Sequence, residues 1–321
     1  MILVAVRRLG EMVFVLVSIS VLVFLIFFAT PGADPAARLA GRGATPATLA
    51  AVRHSFGLDK PLPVQYVLMM KHLFITQDLT SFVNPGEKVV PAVLQAVPVT
   101  LSLVFGAAII WVVMALFVGI VAAWARDTLL DRMLMLFSLI GVSMPVFWLA
   151  EVANLITQAR YHDTWLFSWV PALGYVPLGV SVVGWFKSLV IPWTVLAVTY
   201  IGLYGRVLRS NLVEAMNEDY IRTARAKGLS ERQIILRHAL RMSLITLVSM
   251  FGLDFGLLAG GGALLIEVVS GLPGVGELTY QALQNLDLPF IMAAVLYGAV
   301  FIVVANTVVD MLYAVIDPRA R

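Results

Sequence analysis

Cysteine is absent from these 321 residues, so the chain can build neither a disulfide framework nor a thiolate metal site, and it has no cysteine nucleophile. Charge is also scarce: 13% of residues are charged against 60% apolar, and the mean hydropathy is +0.93. A soluble domain cannot hide that much apolar surface within itself, which leaves lipid to cover the remainder. The four histidines (His54, His72, His162, His238) are scattered and lack the two-on-one-face spacing of a zinc helix, so no metal site is expected. Neither H-E-x-x-H nor G-x-S-x-G occurs, which argues against an intramembrane metalloprotease or serine hydrolase and leaves no catalytic residue to nominate. The phosphate-binding pattern G-x-x-x-x-G-K-[ST] is missing too, and the glycine-rich run from Gly271 to Gly276 has no lysine behind it. The formal charge of +3 does not point to nucleic acid, because the basic residues lie between apolar runs and form no single patch.

Six stretches are long and apolar enough to span a bilayer: about Met12 to Ala29, Thr100 to Trp124, Met133 to Ile156, Leu189 to Tyr204, Leu244 to Ile266 and Phe290 to Tyr313. Within lipid each backbone polar group must be paired inside its own segment or in a closed barrel, and runs this continuous can only be helices. The predicted fold class is an all-α integral membrane protein. The first run follows Arg7 and Arg8 and is too long for a signal peptide, with no clear A-x-A site after it, so it reads as a retained helix. The organisation expected is a first span over 1–30, an extracytoplasmic region over 31–97, a membrane core over 98–313 and a tail over 314–321. Seven prolines between Pro31 and Pro91 rule out one continuous helix in the 31–97 region, where short helices are expected.

Placing the N-terminus in the cytoplasm puts fourteen of the twenty-two Lys and Arg in inner segments, while the short outer segment Glu267 to Pro289 holds none. Lys and Arg in short loops set orientation, so both termini are assigned to the cytoplasm. The long inner segment 206–241 is charged and patterned where a plain connection would be short. Leu212, Met216, Tyr220 and Ala224 recur every four residues with Val213 and Ile221 beside them, giving an amphipathic helix edged by Glu218, Asp219, Arg222 and Arg225. Gly228 falls where that helix needs a left-handed residue to end it, and Ser230 with Gln233 has capping-box spacing for a second helix. Such a hairpin either lies on anionic lipid or docks a cytoplasmic partner.

Ionisable residues inside spans face a cavity or a partner, which singles out Glu151, Asp254, Glu267 and Asp310. Asp254, the deepest, either lines a translocation path or hydrogen-bonds to a neighbouring helix; Glu267 has the same two readings nearer a span end. Gly252, Gly256 and Gly260 offer a small face for close helix packing.

The run Tyr220-Ile221-Arg222-Thr223-Ala224-Arg225-Ala226-Lys227-Gly228-Leu229-Ser230, continuing to Arg237-His238-Ala239-Leu240-Arg241, resembles the EAA loop of binding-protein-dependent ABC transporter permeases. Ala224 and Gly228 match that loop's alanine and glycine; Arg222 stands where the general pattern has Glu and Arg241 where it has Pro, as is usual in the peptide branch. Further resemblance to the dipeptide/oligopeptide branch is carried by Arg7-Arg8-Leu9 with Ala29 to Pro35, and by Phe56 to Tyr66. It continues with Leu129-Leu130-Asp131-Arg132, Ser143 to Trp148, Gly271 to Gly276 and the tail from Asn306 to Arg321. The resemblance implies the type I importer membrane fold and a non-catalytic permease subunit of an ATP-driven importer in a prokaryotic inner membrane. It also implies that Tyr220, Arg222, Thr223, Ala224, Arg225, Lys227, Gly228, Leu229 and Ser230 meet the ATPase. The implied partners are a second homologous permease, two P-loop ATPase subunits that use ATP and Mg²⁺, and an external solute-binding protein, with no cofactor held by this chain. Peptides are the implied cargo, although relatives carry nickel complexes, glutathione, haem or oligosaccharides. An ion-coupled secondary transporter is the other class to weigh, but it would show more spans and paired intramembrane charges.

Overall fold

An apolar run surrounded by lipid satisfies its backbone only by closing its own helical hydrogen bonds, and the architecture follows from where such runs can pack on one another. The computed structural model describes residues 2–28, 36, 45–55, 57–84 and 86–316, with side chains described except at 2–9, 27, 48, 51, 52, 55 and 309–316. Within these residues the chain is helical and contains no strand, only an isolated bridge between Thr80 and Lys88. The motif residues Ala29 to Pro35, Phe56 and Asp317 to Arg321, and the side chain of Asp310, lie outside the described residues.

Helix α1 (Ile2–Phe28) is followed by two short helices, α2 (Pro46–Ser55) and α3 (Leu62–Phe74), as the prolines of this region require. Helix α4 (Val89–Trp124) starts well before the expected Thr100, because Pro91 falls in its first turn, where a missing N–H costs nothing. Helices α5 (Leu129–Ser143) and α6 (Val146–Arg160) replace the expected continuous third span and meet at 94°. The cause is local: Met144 precedes Pro145, and the proline ring pushes it out of the helical region to φ −84°, ψ 130°. Helix α7 (Val182–Ala215) carries the fourth span, α8 (Asp219–Ala226) is the short helix of the hairpin, and α9 (Glu231–Gly262) holds the fifth span. Two short helices, α10 (Leu264–Ser270) and α11 (Val275–Asn285), precede α12 (Leu288–Ile316). Four helices, α4, α7, α9 and α12, are individually long and apolar enough to cross a membrane, the α5–α6 pair makes a fifth candidate, and α1 contributes the shorter apolar stretch Gly10–Ile26.

The main core lies between α4 and α7 and continues down to the hairpin, with Trp111, Tyr204, Leu208, Leu212, Ile221 and Ile234 fully buried in one cluster. The small face of α9 is met by this chain's own α12: Gly256 lies against Ala305, and Gly260 against the backbone of Gly298. Many large apolar side chains elsewhere face outward, among them Phe105, Ile109, Phe117 and Phe137. At the end of the bundle away from the hairpin, α3 packs on α1 through Phe24, Met69 and a Ser20–Tyr66 hydroxyl contact of 2.6 Å. The following segment is anchored to the start of α12: the Asp287 carboxylate accepts from the Ser81 hydroxyl and from the Phe82 N–H at 3.1 Å.

Candidate functional site: the exposed hairpin and the polar junctions of the bundle

The hairpin is built by two adjacent caps. Gly228 stands at φ +79°, the left-handed value that a glycine adopts without steric cost. Its N–H donates to the Arg225 carbonyl at 2.9 Å and the Leu229 N–H reaches the Ala224 carbonyl at 3.4 Å, closing the end of α8. Ser230 then starts α9 with a complete capping box, accepting from the Gln233 N–H while its own N–H donates to the glutamine side chain at 3.2 Å. Arg225 spans the turn and donates to both carboxylate oxygens of Glu231, at 2.7 and 3.2 Å.

The expected amphipathic helix is not continuous. Helix α7 stops at Ala215, and a turn closed by Asn217 and Glu218 N–H bonds to the Glu214 and Ala215 carbonyls intervenes before α8. That turn moves the buried face by one residue. Ile221 and Ala224 pack inward, whereas Tyr220 is 41% exposed. Arg222, Thr223, Arg225, Lys227, Gly228 and Ser230 are exposed with it, and Leu229 is half-buried against the core. The nominated residues therefore divide: Ala224 and Leu229 seat the hairpin, and the others present a basic, solvent-facing knob.

Above the hairpin, Arg209 on α7 donates through Nε and Nη2 to both oxygens of Asp131, each at 2.6 Å, and the Asp127 N–H adds a 3.0 Å bond. The Asp131 side chain is only 4% exposed. Sequence reading noted Asp131 but missed Arg209, since 78 positions separate them and no local pattern joins them.

Asp254 on α9 accepts from the Tyr204 hydroxyl of α7 at 2.6 Å and is half-buried beside an aromatic group. In that group Trp111 stacks on Tyr200 at 4.7 Å and lies 5.7 Å from Phe251. Glu267 behaves differently. It is 0% exposed, on α10, and accepts from the Thr100 hydroxyl of α4 at 2.6 Å and from the Glu277 N–H of α11 at 3.0 Å. Thr100 in turn accepts from the Val275 N–H at 2.8 Å. Gly274, the residue before α11, has no side chain with which to cap that helix, and Glu267 caps it from α10. A Cβ at Gly276 would fall 2.9 Å from the Glu267 carboxylate, and one at Gly274 would overlap it. The glycine-rich run thus makes room for a carboxylate. Glu151 is exposed on α6, and among the described residues no group of three His, Asp or Glu side chains is placed to hold a metal.

Membrane-length helices in one bundle with a capped, basic hairpin at one end define a multi-span membrane protein. The chain belongs to the family of binding-protein-dependent transport system inner membrane components, whose description matches residues 115–321, with that family's N-terminal description matching residues 1–104. A Brucella abortus protein provisionally named as a peptide transport system permease is 38% identical over 315 residues, covering 98% of each chain. The dipeptide transport system permease protein DppB of Alkalihalophilus pseudofirmus is 32% identical, covering 99% of this chain and 98% of the relative. The glutathione transport system permease protein GsiC of Salmonella paratyphi A is 34% identical, covering 98% and 97%. A solved inward-facing structure of the MetNI methionine ABC transporter superposes with a TM-score of 0.53 at 18% identity, over 70% of this chain and 96% of that one, which establishes the shared membrane fold.

Proposed function

We propose that this chain forms half of the membrane pathway of an ATP-driven peptide importer and passes the movement of separate ATPase subunits to its spans through the 206–241 hairpin. The observation that carries this reading is the hairpin itself, a rigidly capped turn with Ile221 and Ala224 sunk into the core and a basic face exposed to solvent. The names of the peptide and dipeptide permease relatives support the cargo, and the glutathione permease keeps a second cargo, itself a tripeptide, in view. The chain works without catalytic residues or cofactor of its own. ATP and Mg²⁺ are used by two P-loop ATPase subunits, a second homologous permease completes the pathway, and an external solute-binding protein delivers the cargo. Both termini and the hairpin face the cytoplasm, following the distribution of Lys and Arg. Access then alternates as ATP closes the ATPase pair and the hairpin moves with it. Asp254, half-buried between Tyr204 and the aromatic group, lines the pathway, whereas Glu267 fixes the outer junction and does not meet cargo.

Gly228→Val tests the coupling. No atom lies within 4 Å of a Cβ at this position, so the variant acts through backbone strain alone, at a cost of about 1–3 kcal/mol. The tagged wild type should copurify with a P-loop ATPase from its native cells. The variant should lose that partner, or keep it while transporting less cargo per ATP. No ATPase with the wild type, or normal coupling in the variant, would refute the docking role.

A further inference from the structure

A cavity of about 730 Å³ opens at the outer end of the bundle, between the first turns of α4, the segment leading into α7 and the start of α11. Its polar lining comes from Gln95 and Ser102 on α4, Tyr175 before α7, and Glu277 and Gln281 on α11. Among the described residues, Glu277 is the only charged group that lines it, with no lysine or arginine. One carboxylate oxygen of Glu277 accepts from the Gln281 amide at 3.2 Å, which is a neutral partner that leaves the negative charge uncompensated. Tyr175 and Ser102 share a hydroxyl contact of 3.3 Å, so each keeps acceptor capacity towards the cavity. Pro98 also lines it and brings no backbone N–H to this face. Among the described residues the lining therefore offers acceptors and one anion with no opposing cation. Partial burial pushes the Glu277 carboxyl above its ordinary value, a desolvation that a bound cation would offset.

The Glu277 N–H is held by the buried Glu267 carboxylate, so the acid is fixed to the junction that ties α4, α10 and α11 together. A cation received at Glu277 is thus received on a rigid element, at the mouth of the bundle and off the aromatic group around Asp254.

Resting on the peptide reading above, we propose that this cavity is the first receiving site for the ammonium end of an incoming peptide, with Glu277 as its counter-charge and Gln95, Gln281 and Tyr175 as neutral partners. The test uses the purified importer in lipid nanodiscs and a tripeptide ending in photo-leucine, free or acetylated at its amine, with the labelled residues mapped by mass spectrometry. The free tripeptide should label the 92–102 and 175–179 segments about tenfold more than the acetylated one. Glu277→Gln should lower free-tripeptide labelling to the acetylated level, and Glu277→Asp, which keeps the charge, should retain it. Equal labelling by both tripeptides, unchanged labelling in Glu277→Gln, or a Glu277→Gln defect confined to association with the external binding protein would overturn the site. Uptake of the radiolabelled tripeptide by cells carrying the wild type separates the two readings. Uptake without amine-dependent labelling removes the cavity alone, and absence of uptake removes the peptide cargo.

Discussion

Single side chains hold the bundle's polar junctions, and each can be tested by what its removal leaves unpaired. Glu267→Ala would leave the buried Thr100 hydroxyl and the Glu277 N–H without their acceptor, costing about 2–4 kcal/mol. The expected result is a lower melting temperature in detergent for Glu267→Ala and a smaller drop for Glu267→Gln, which keeps one acceptor; equal stability in all three proteins would contradict the latch. Asp254→Asn preserves shape and the Tyr204 contact while removing charge, so an acid that lines the pathway should lose transport with assembly and melting temperature unchanged. Normal uptake by that variant would restrict Asp254 to a packing role. The two acids were both visible as ionisable residues in apolar stretches, and depth separated them, Asp254 being the deeper and Glu267 nearer a span end, but the sequence did not reveal what either one bonds to. Their partners, Tyr204 and Thr100, arrive from helices 50 and 167 positions away.

Among the elements, α5 and α7 are fastened by a forked ion pair whose geometry a lysine cannot reproduce. Arg209→Lys should destabilise modestly. Asp131→Asn, which leaves the guanidinium without its counter-charge, should cost more, about 2–4 kcal/mol. A double-mutant cycle read by thermal unfolding should return a coupling energy of at least about 1 kcal/mol, and additivity would mean that the pair does not fasten the helices. Much at this scale was legible beforehand. The apolar runs located the membrane helices, and Gly228, Ser230 and Gln233 located both caps, because those signals depend on neighbours within a few residues. What failed needed finer backbone detail. Pro145 breaks the third span although the run around it stays apolar, and the turn at Met216–Glu218 interrupts a four-residue period that looks unbroken from Leu212 to Ala224.

At the scale of the whole molecule, the segment after α3 is tied to the bundle through Asp287, which is 3% exposed and accepts from Ser81 and Phe82. Asp287→Ala should make residues 75–88 more sensitive to protease added from outside, while the ATPase still copurifies through the distant hairpin; unchanged protection would show that apolar packing alone holds the segment. The bend between α5 and α6 has a different kind of consequence, for biogenesis. Each half has fifteen residues and is about 22 Å long, short of a hydrocarbon core of about 30 Å. Neither half can cross the bilayer by itself as it leaves the ribosome, so the pair must wait for α7, the helix that packs against both, before it settles. The order in which the chain is synthesised then becomes part of how it folds: until α7 emerges, this stretch of nascent protein depends on the insertion machinery to shield it.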